Sequence, residues 1–222
     1  MSAPILSARG LDRSFGNMRV LRGLDLDVAA GEFLTIVGRS GAGKSTLLSI
    51  LGTHDPGYSG ALSIAGRDVA SLSAADLAAL RRGTIGFVFQ DFHLLPNLTA
   101  MENVMLPAVF SGADLGAAGE QARAVLDHLA VRIDSTPTSV LSRGERQRVA
   151  VARGLVNRPS MLIADEPSAS LDEHTETVLF DLLDELRRSQ GFALIAVVHS
   201  TSILERSDRT LVLEDGALHE MA

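Results

Sequence analysis

The sequence predicts an α/β fold with a mostly parallel core sheet, a small antiparallel β part and a helical lobe inserted between two core strands. Three observations carry that expectation. Short apolar runs at Phe33–Val37, Ile85–Phe89, Met161–Ala164, Ala193–Val198 and Thr210–Leu213 each stop abruptly at Gly, Gln, an acid or His. Runs of that length read as strands of a sheet covered on both faces. Helical patterns separate some of them, and strands alternating with helices favour parallel pairing. By contrast, residues about 1–30 and 57–70 look like short alternating strands with turn formers Gly57, Gly60 and Gly66, the pattern of an antiparallel patch.

In chain order, a helical pattern starts at Lys44, directly after the first core run. Residues about 91–158 read as helical. Glu120–Ala130 is amphipathic, Ser142 opens a further helix, and Arg158-Pro159 closes it. Asp172–Arg188 follows, with Val178, Leu179, Leu182, Leu183 and Leu186 on one face. Residues 1–222 are thus expected to form one domain. Its core and β part take about 1–90 and 159–222, and its helical lobe about 91–158.

Composition narrows the function classes. A formal net charge of −7 argues against a nucleic-acid partner, whose phosphates call for a basic surface. With no cysteines, disulfides and thiolate metal sites are excluded. Met1–Gly10 lacks a charged start followed by a long apolar stretch, so no signal peptide is expected. The apolar runs fall far short of the ~20 residues that span a bilayer. Work at a membrane would therefore require docking on another protein.

The strongest motif is Gly38-Arg39-Ser40-Gly41-Ala42-Gly43-Lys44-Ser45, with a strand pattern before it and a helix pattern after it. It matches the phosphate-binding loop of P-loop NTPases. Glycines let successive N–H groups curl toward one phosphate, and the helix dipole favours negative charge there. Lys44 would reach the β- and γ-phosphates, and the Ser45 hydroxyl would ligate Mg²⁺. Of the 20 Lys and Arg residues 19 are Arg, so the one lysine stands where a compact point charge fits and a planar guanidinium does not.

Asp165 and Glu166 end an apolar run at the sheet edge where open α/β sheets bind ligands. Asp165 would hold Mg²⁺ through its water shell, and Glu166 would orient or deprotonate an attacking water. Gln90 and His199 stand in the same position after their own runs, and Gln90 could complete the metal or water shell. Ser142 and Glu145 have the spacing of a helix capping box.

The order of phosphate loop, Gln90, Leu141-Ser142-Arg143-Gly144-Glu145, Asp165-Glu166, Ser170-Leu171-Asp172 and His199 resembles the ABC ATPase family along the whole chain. The fold the resemblance implies is a P-loop NTPase of the ABC ATPase kind, and the activity it implies is ATP hydrolysis with Mg²⁺. It further implies that Phe15 stacks on adenine with Val20 nearby, and that Gly38–Ser45 with Thr46 hold the phosphates. Gln90 would contact Mg²⁺ and a membrane partner, Glu166 would be the catalytic carboxylate, and His199 would sense the γ-phosphate. Ser142, Arg143, Gly144, Glu145 and Asp172 would serve a nucleotide bound by the opposite subunit of a head-to-tail dimer. The partners implied are a second copy or paralogous ATPase and integral permease subunits. The place implied is the cytoplasmic face of the membrane.

Segments such as Ser49-Ile50-Leu51-Gly52 and Glu102-Asn103-Val104 look most like the lipoprotein-releasing, macrolide-exporter and cell-division ATPases. Three departures stand out. Arg143 occupies a position where the family usually has Gly, Ser200 stands where an acid commonly follows the histidine, and Ser168-Ala169-Ser170 replaces a Thr-Gly-Asn-like run. A soluble ABC ATPase acting on nucleic acid or ribosomes is the alternative. Against it, Lys44 and Leu141 are too close for a long intervening coiled coil, and only one set of motifs is present.

Overall fold

The computed structural model describes residues 3–169 and 171–221. Met1, Ser2 and Ser170, all within segments discussed above, lie outside the described residues. The chain begins with β1 (Leu6–Phe15), β2 (Met18–Val28), β3 (Phe33–Val37), α1 (Lys44–Leu51), β4 (Ser59–Ile64), β5 (Arg67–Asp68) and α2 (Ala74–Thr84). It continues through β6 (Ile85–Val88), α3 (Ala100–Ser111), α4 (Leu115–His128), α5 (Arg143–Leu155), β7 (Met161–Asp165) and α6 (Glu173–Gln190). It ends with β8 (Ala193–Val197), α7 (Thr201–Leu204), β9 (Arg209–Glu214) and β10 (Ala217–Glu220).

Two sheets result. The first is antiparallel, in the order β2-β1-β4-β5. The second has the order β10-β9-β3-β8-β7-β6, parallel throughout except for the β9–β10 hairpin. The apolar runs fall on its core strands, and the alternation of their side chains divides the interior in two. Phe33, Leu162 and Leu194 point into one cluster, with Val149 of α5, Val104 of α3 and Phe180 of α6. Leu34, Ile163 and Ile195 point into the other, with Leu47 of α1 and Leu6 and Leu24 of the antiparallel sheet. Both faces are covered, which is why these strands are apolar without a polar side.

Some boundaries differ from the sequence reading. The strand expected over Ile85–Phe89 stops at Val88, and residues 91–99 carry no helix before α3. α2 was not expected; it is capped by Ser73, but Leu80 is its one buried residue, so it has almost no apolar stripe to read. β10 was also missed, because Asp215 and Gly216 adopt left-handed φ of 49° and 81° and fold four more residues back on β9.

One close approach fixes the helical part against the sheet. A Cβ on Gly86 of β6 would collide with the carbonyl oxygen of Gly154 near the end of α5. Only a residue without a side chain lets the helix backbone lie directly on that strand.

Candidate functional site

β3 delivers the loop 38–43, and α1 starts at Lys44. Gly43 caps the helix with φ 101°, in left-handed geometry and without a side-chain cap, so its N-terminal N–H groups have no competing side-chain acceptor. Space is as restrictive as conformation here. A Cβ at Gly43 would lie 2.6 Å from Val20 Cγ1, and one at Gly38 2.5 Å from Leu213 O. Lys44 is 6% exposed. Its ammonium donates to Gly38 O at 2.8 Å and Arg39 O at 3.1 Å, folding back across the loop. Ser45 is exposed and Thr46 half-buried. A cleft of about 480 Å³ opens beside the loop, lined by Val20, Arg39, Ser40 and Asp215 among others, while Lys44, Asp165 and Glu166 lie outside its lining.

Parallel pairing brings β6, β7 and β8 to a common edge, and Gln90, Glu166 and His199 meet there. Gln90 Nε2 donates to Glu166 Oε2 at 3.0 Å, and His199 Nε2 lies 3.0 Å from Glu166 Oε1. Glu166 takes φ 46°, an uncommon geometry for a side-chain-bearing residue. Asp165, one residue earlier, is buried, and its Oδ1 has no hydrogen-bond partner. Burial pushes its carboxyl up from the ordinary range, and the charge of Glu166 adds to this. The Ser45 hydroxyl and the Lys44 ammonium act in the opposite direction.

An orphaned carboxylate oxygen beside a hydroxyl and an ammonium suits a hard cation arriving with phosphate. Among the described residues no three His, Cys, Asp or Glu side chains gather as a metal site. A cation there would take its remaining ligands from water and phosphate, as Mg²⁺ does.

Phe15, at the end of β1, is 51% exposed. Ser142 caps α5: its hydroxyl accepts from Glu145 N at 3.3 Å, and Ser142 N donates to Glu145 Oε2 at 2.9 Å. The Ser142 hydroxyl also donates to Glu145 Oε2 at 2.7 Å, and this bond, with that from Ser142 N, holds the Glu145 carboxyl below its usual range. Asp172 caps α6 through Thr175, which lowers its carboxyl in the same way. A Cβ on Gly144 would lie 3.4 Å from Thr175 Cγ2, so the two capped helix starts are neighbours. Among the described residues no hydrogen bond joins Ser142, Arg143, Gly144 or Asp172 to Lys44, Asp165 or Glu166.

How α5 grips the loop after Gln90 was not legible in the sequence. Arg153 donates to both Phe92 O and His93 O at 2.6 Å, and burial lowers its guanidinium from the ordinary value. The guanidinium carbons of Arg143 and Arg146 stand 5.6 and 5.7 Å over the Phe92 ring. The departure at Arg143 therefore places a cation on that ring.

A profile of the family described as ABC transporter matches residues 21–169. The chain is similar to the lipoprotein-releasing system ATP-binding protein LolD of Xanthomonas campestris pv. campestris, 46% identical over 226 residues, covering 99% of this chain and 94% of that protein. It is also 43% identical, over 223 residues, to the pyoverdine export ATP-binding/permease protein PvdT of Pseudomonas syringae pv. tomato, covering 97% of this chain and 34% of that longer protein. Among solved structures, a dimeric ATP-binding cassette in a post-hydrolysis state bound to ADP and Pi matches with TM-score 0.87 and 33% identity, covering 97% of each chain.

Proposed function

The chain belongs to the ABC transporter family, and from that premise we propose that it is the ATP-hydrolysing subunit of a lipoprotein-releasing type complex, working as a head-to-tail dimer. The observation that carries this reading is the meeting of Gln90, Glu166 and His199 at the sheet edge that also presents Lys44 and Asp165. In it, the N–H groups of the loop and α1 hold the phosphates, and Lys44 turns from its loop carbonyls to neutralise them. Ser45, Asp165 and Gln90 would hold Mg²⁺, which supplies further charge neutralisation when bound. Glu166 takes a proton from the attacking water, while Gln90 and His199 keep its carboxylate in place. Phe15 and Val20 receive the adenosine. Ser142, Arg143, Gly144, Glu145 and Asp172 of one copy close over the nucleotide of the other.

None of the described helices is long and apolar enough to cross a membrane. In this reading integral permease subunits provide the path and hold the ATPase at the inner face of the membrane. The P. syringae relative, named for both ATP binding and permease, supports the pairing. A cleft of about 350 Å³ between β6, α3 and α5 suits a permease helix, being lined by Phe87, Phe89, Pro107 and Phe110, the last 79% exposed.

Glu166→Gln tests the reading. Turnover should fall by roughly 10²–10⁴-fold, and ATP should convert the variant from monomer to dimer in sedimentation velocity. A variant that binds ATP and stays monomeric would remove the sandwich.

A further inference from the structure

Arg13 stands behind Phe15. Its guanidinium carbon lies 4.1 Å from the ring centroid, well inside the range of cation–π attraction. The guanidinium is tightly held. Nε donates to Asp55 Oδ2 at 2.8 Å, and a second nitrogen donates to Ser14 O at 3.1 Å. Asp55 is fixed in turn, because its other oxygen accepts from Gly57 N at 2.8 Å. A Cβ at Gly57 would lie 2.7 Å from the guanidinium carbon, so the glycine leaves the room Arg13 fills.

This ion pair differs from its neighbours on the antiparallel sheet. The Arg13 and Asp55 side chains are 19% and 17% exposed, against 52% and 48% for Arg9 and Asp27. Withdrawal of such a pair from water is offset only by close and well-satisfied geometry, which the bonds of Arg13 and Asp55 provide across a separation of 42 residues. What the pair fixes is one face of a ring that remains half open to solvent.

We propose that Arg13 is a positioning residue for the nucleobase, covering one face of Phe15 so that the other is offered to adenine in a preset orientation. The proposal rests on the nucleotide-binding reading of Phe15. Adenine then meets a ring whose freedom has already been removed, and less is lost on binding. Arg13 itself does not touch the ligand.

Because the effect belongs to the base, it separates from the phosphates. Equilibrium binding of ATP and of inorganic tripolyphosphate is measured on the wild type, Arg13→Met, Arg13→Lys and Asp55→Asn. Arg13→Met should weaken ATP about three- to tenfold and leave tripolyphosphate unchanged. Arg13→Lys, a charge without the planar fork, and Asp55→Asn, a looser hold on an intact guanidinium, should shift ATP in the same direction by less. These milder variants carry the test if Arg13→Met does not fold. Unchanged ATP affinity overturns the proposal, as does equal weakening of both ligands. Tighter ATP binding also overturns it, because the guanidinium would then occupy the place of the base. Phe15→Ala reports on the underlying reading alone: wild-type ATP affinity in that variant removes the stacking assignment itself.

Discussion

At the scale of single residues, Asp165 carries a buried carboxylate oxygen with no hydrogen-bond partner. Lys44 and Ser45 compensate its buried charge only in part, so that charge lowers stability until a further cation reaches it. Asp165→Asn should therefore melt at a higher temperature than the wild type without nucleotide, while losing Mg²⁺-dependent turnover. Calorimetry with and without Mg²⁺ and ATP checks both halves. Lys44, Asp165 and Glu166 were legible in the sequence because each motif is local: strand, bend and polar residue follow one another in a few positions. Arg13, Phe92 and Arg153 were not. Arg13 finds Asp55 far along the chain, and Arg153 binds two backbone carbonyls, which any residue type can provide. Arg143 was legible as a departure, but its place over Phe92 depends on a loop whose path the pattern does not encode.

At the scale of elements, α5 joins two regions of the molecule. Its first turn carries the capping box of Ser142 and Glu145, and its last turn carries Arg153 and Gly154. Capping gives a pH prediction whose sign is fixed. The carboxyls of Glu145 and of Glu102, which caps α3 with Thr99, are depressed in the folded chain from an ordinary value of 4.5. A depressed carboxyl contributes stability above its unfolded value and loses it as pH falls through the folded one. The melting temperature should drop as pH goes below 4.5, and Glu145→Gln should flatten part of that slope in a series of melts. Ser142→Ala should cost about 1 kcal/mol. Elements with a full apolar run or stripe, such as β3, β7, β8 and α6, could be read in advance. α2 and β10 could not, since one packs almost nothing and the other is created by a turn.

At the scale of the whole molecule, strand order was the least legible property. Nothing in a run of apolar residues says that β3 lies between β8 and β9, yet that order sets the phosphate loop beside the strand that leads to His199. The capped start of α5 shares no hydrogen bond with Lys44 or Glu166 among the described residues, which fits the proposed dimer, where it serves the nucleotide of the other copy. ATPase rate per chain should therefore rise with protein concentration before levelling off, as mass action requires of a working dimer. A rate per chain that stays constant over a roughly hundredfold dilution across that range would mean one cassette suffices. The seam where Gly86 meets the Gly154 carbonyl has a further consequence. With no liner between strand and helix, the two halves mesh like bare gear teeth, and even one methyl group would act as a wedge. Because β6 leads to Gln90 and α5 begins at the Ser142 cap, such a lesion would disturb two parts of the proposed site at once.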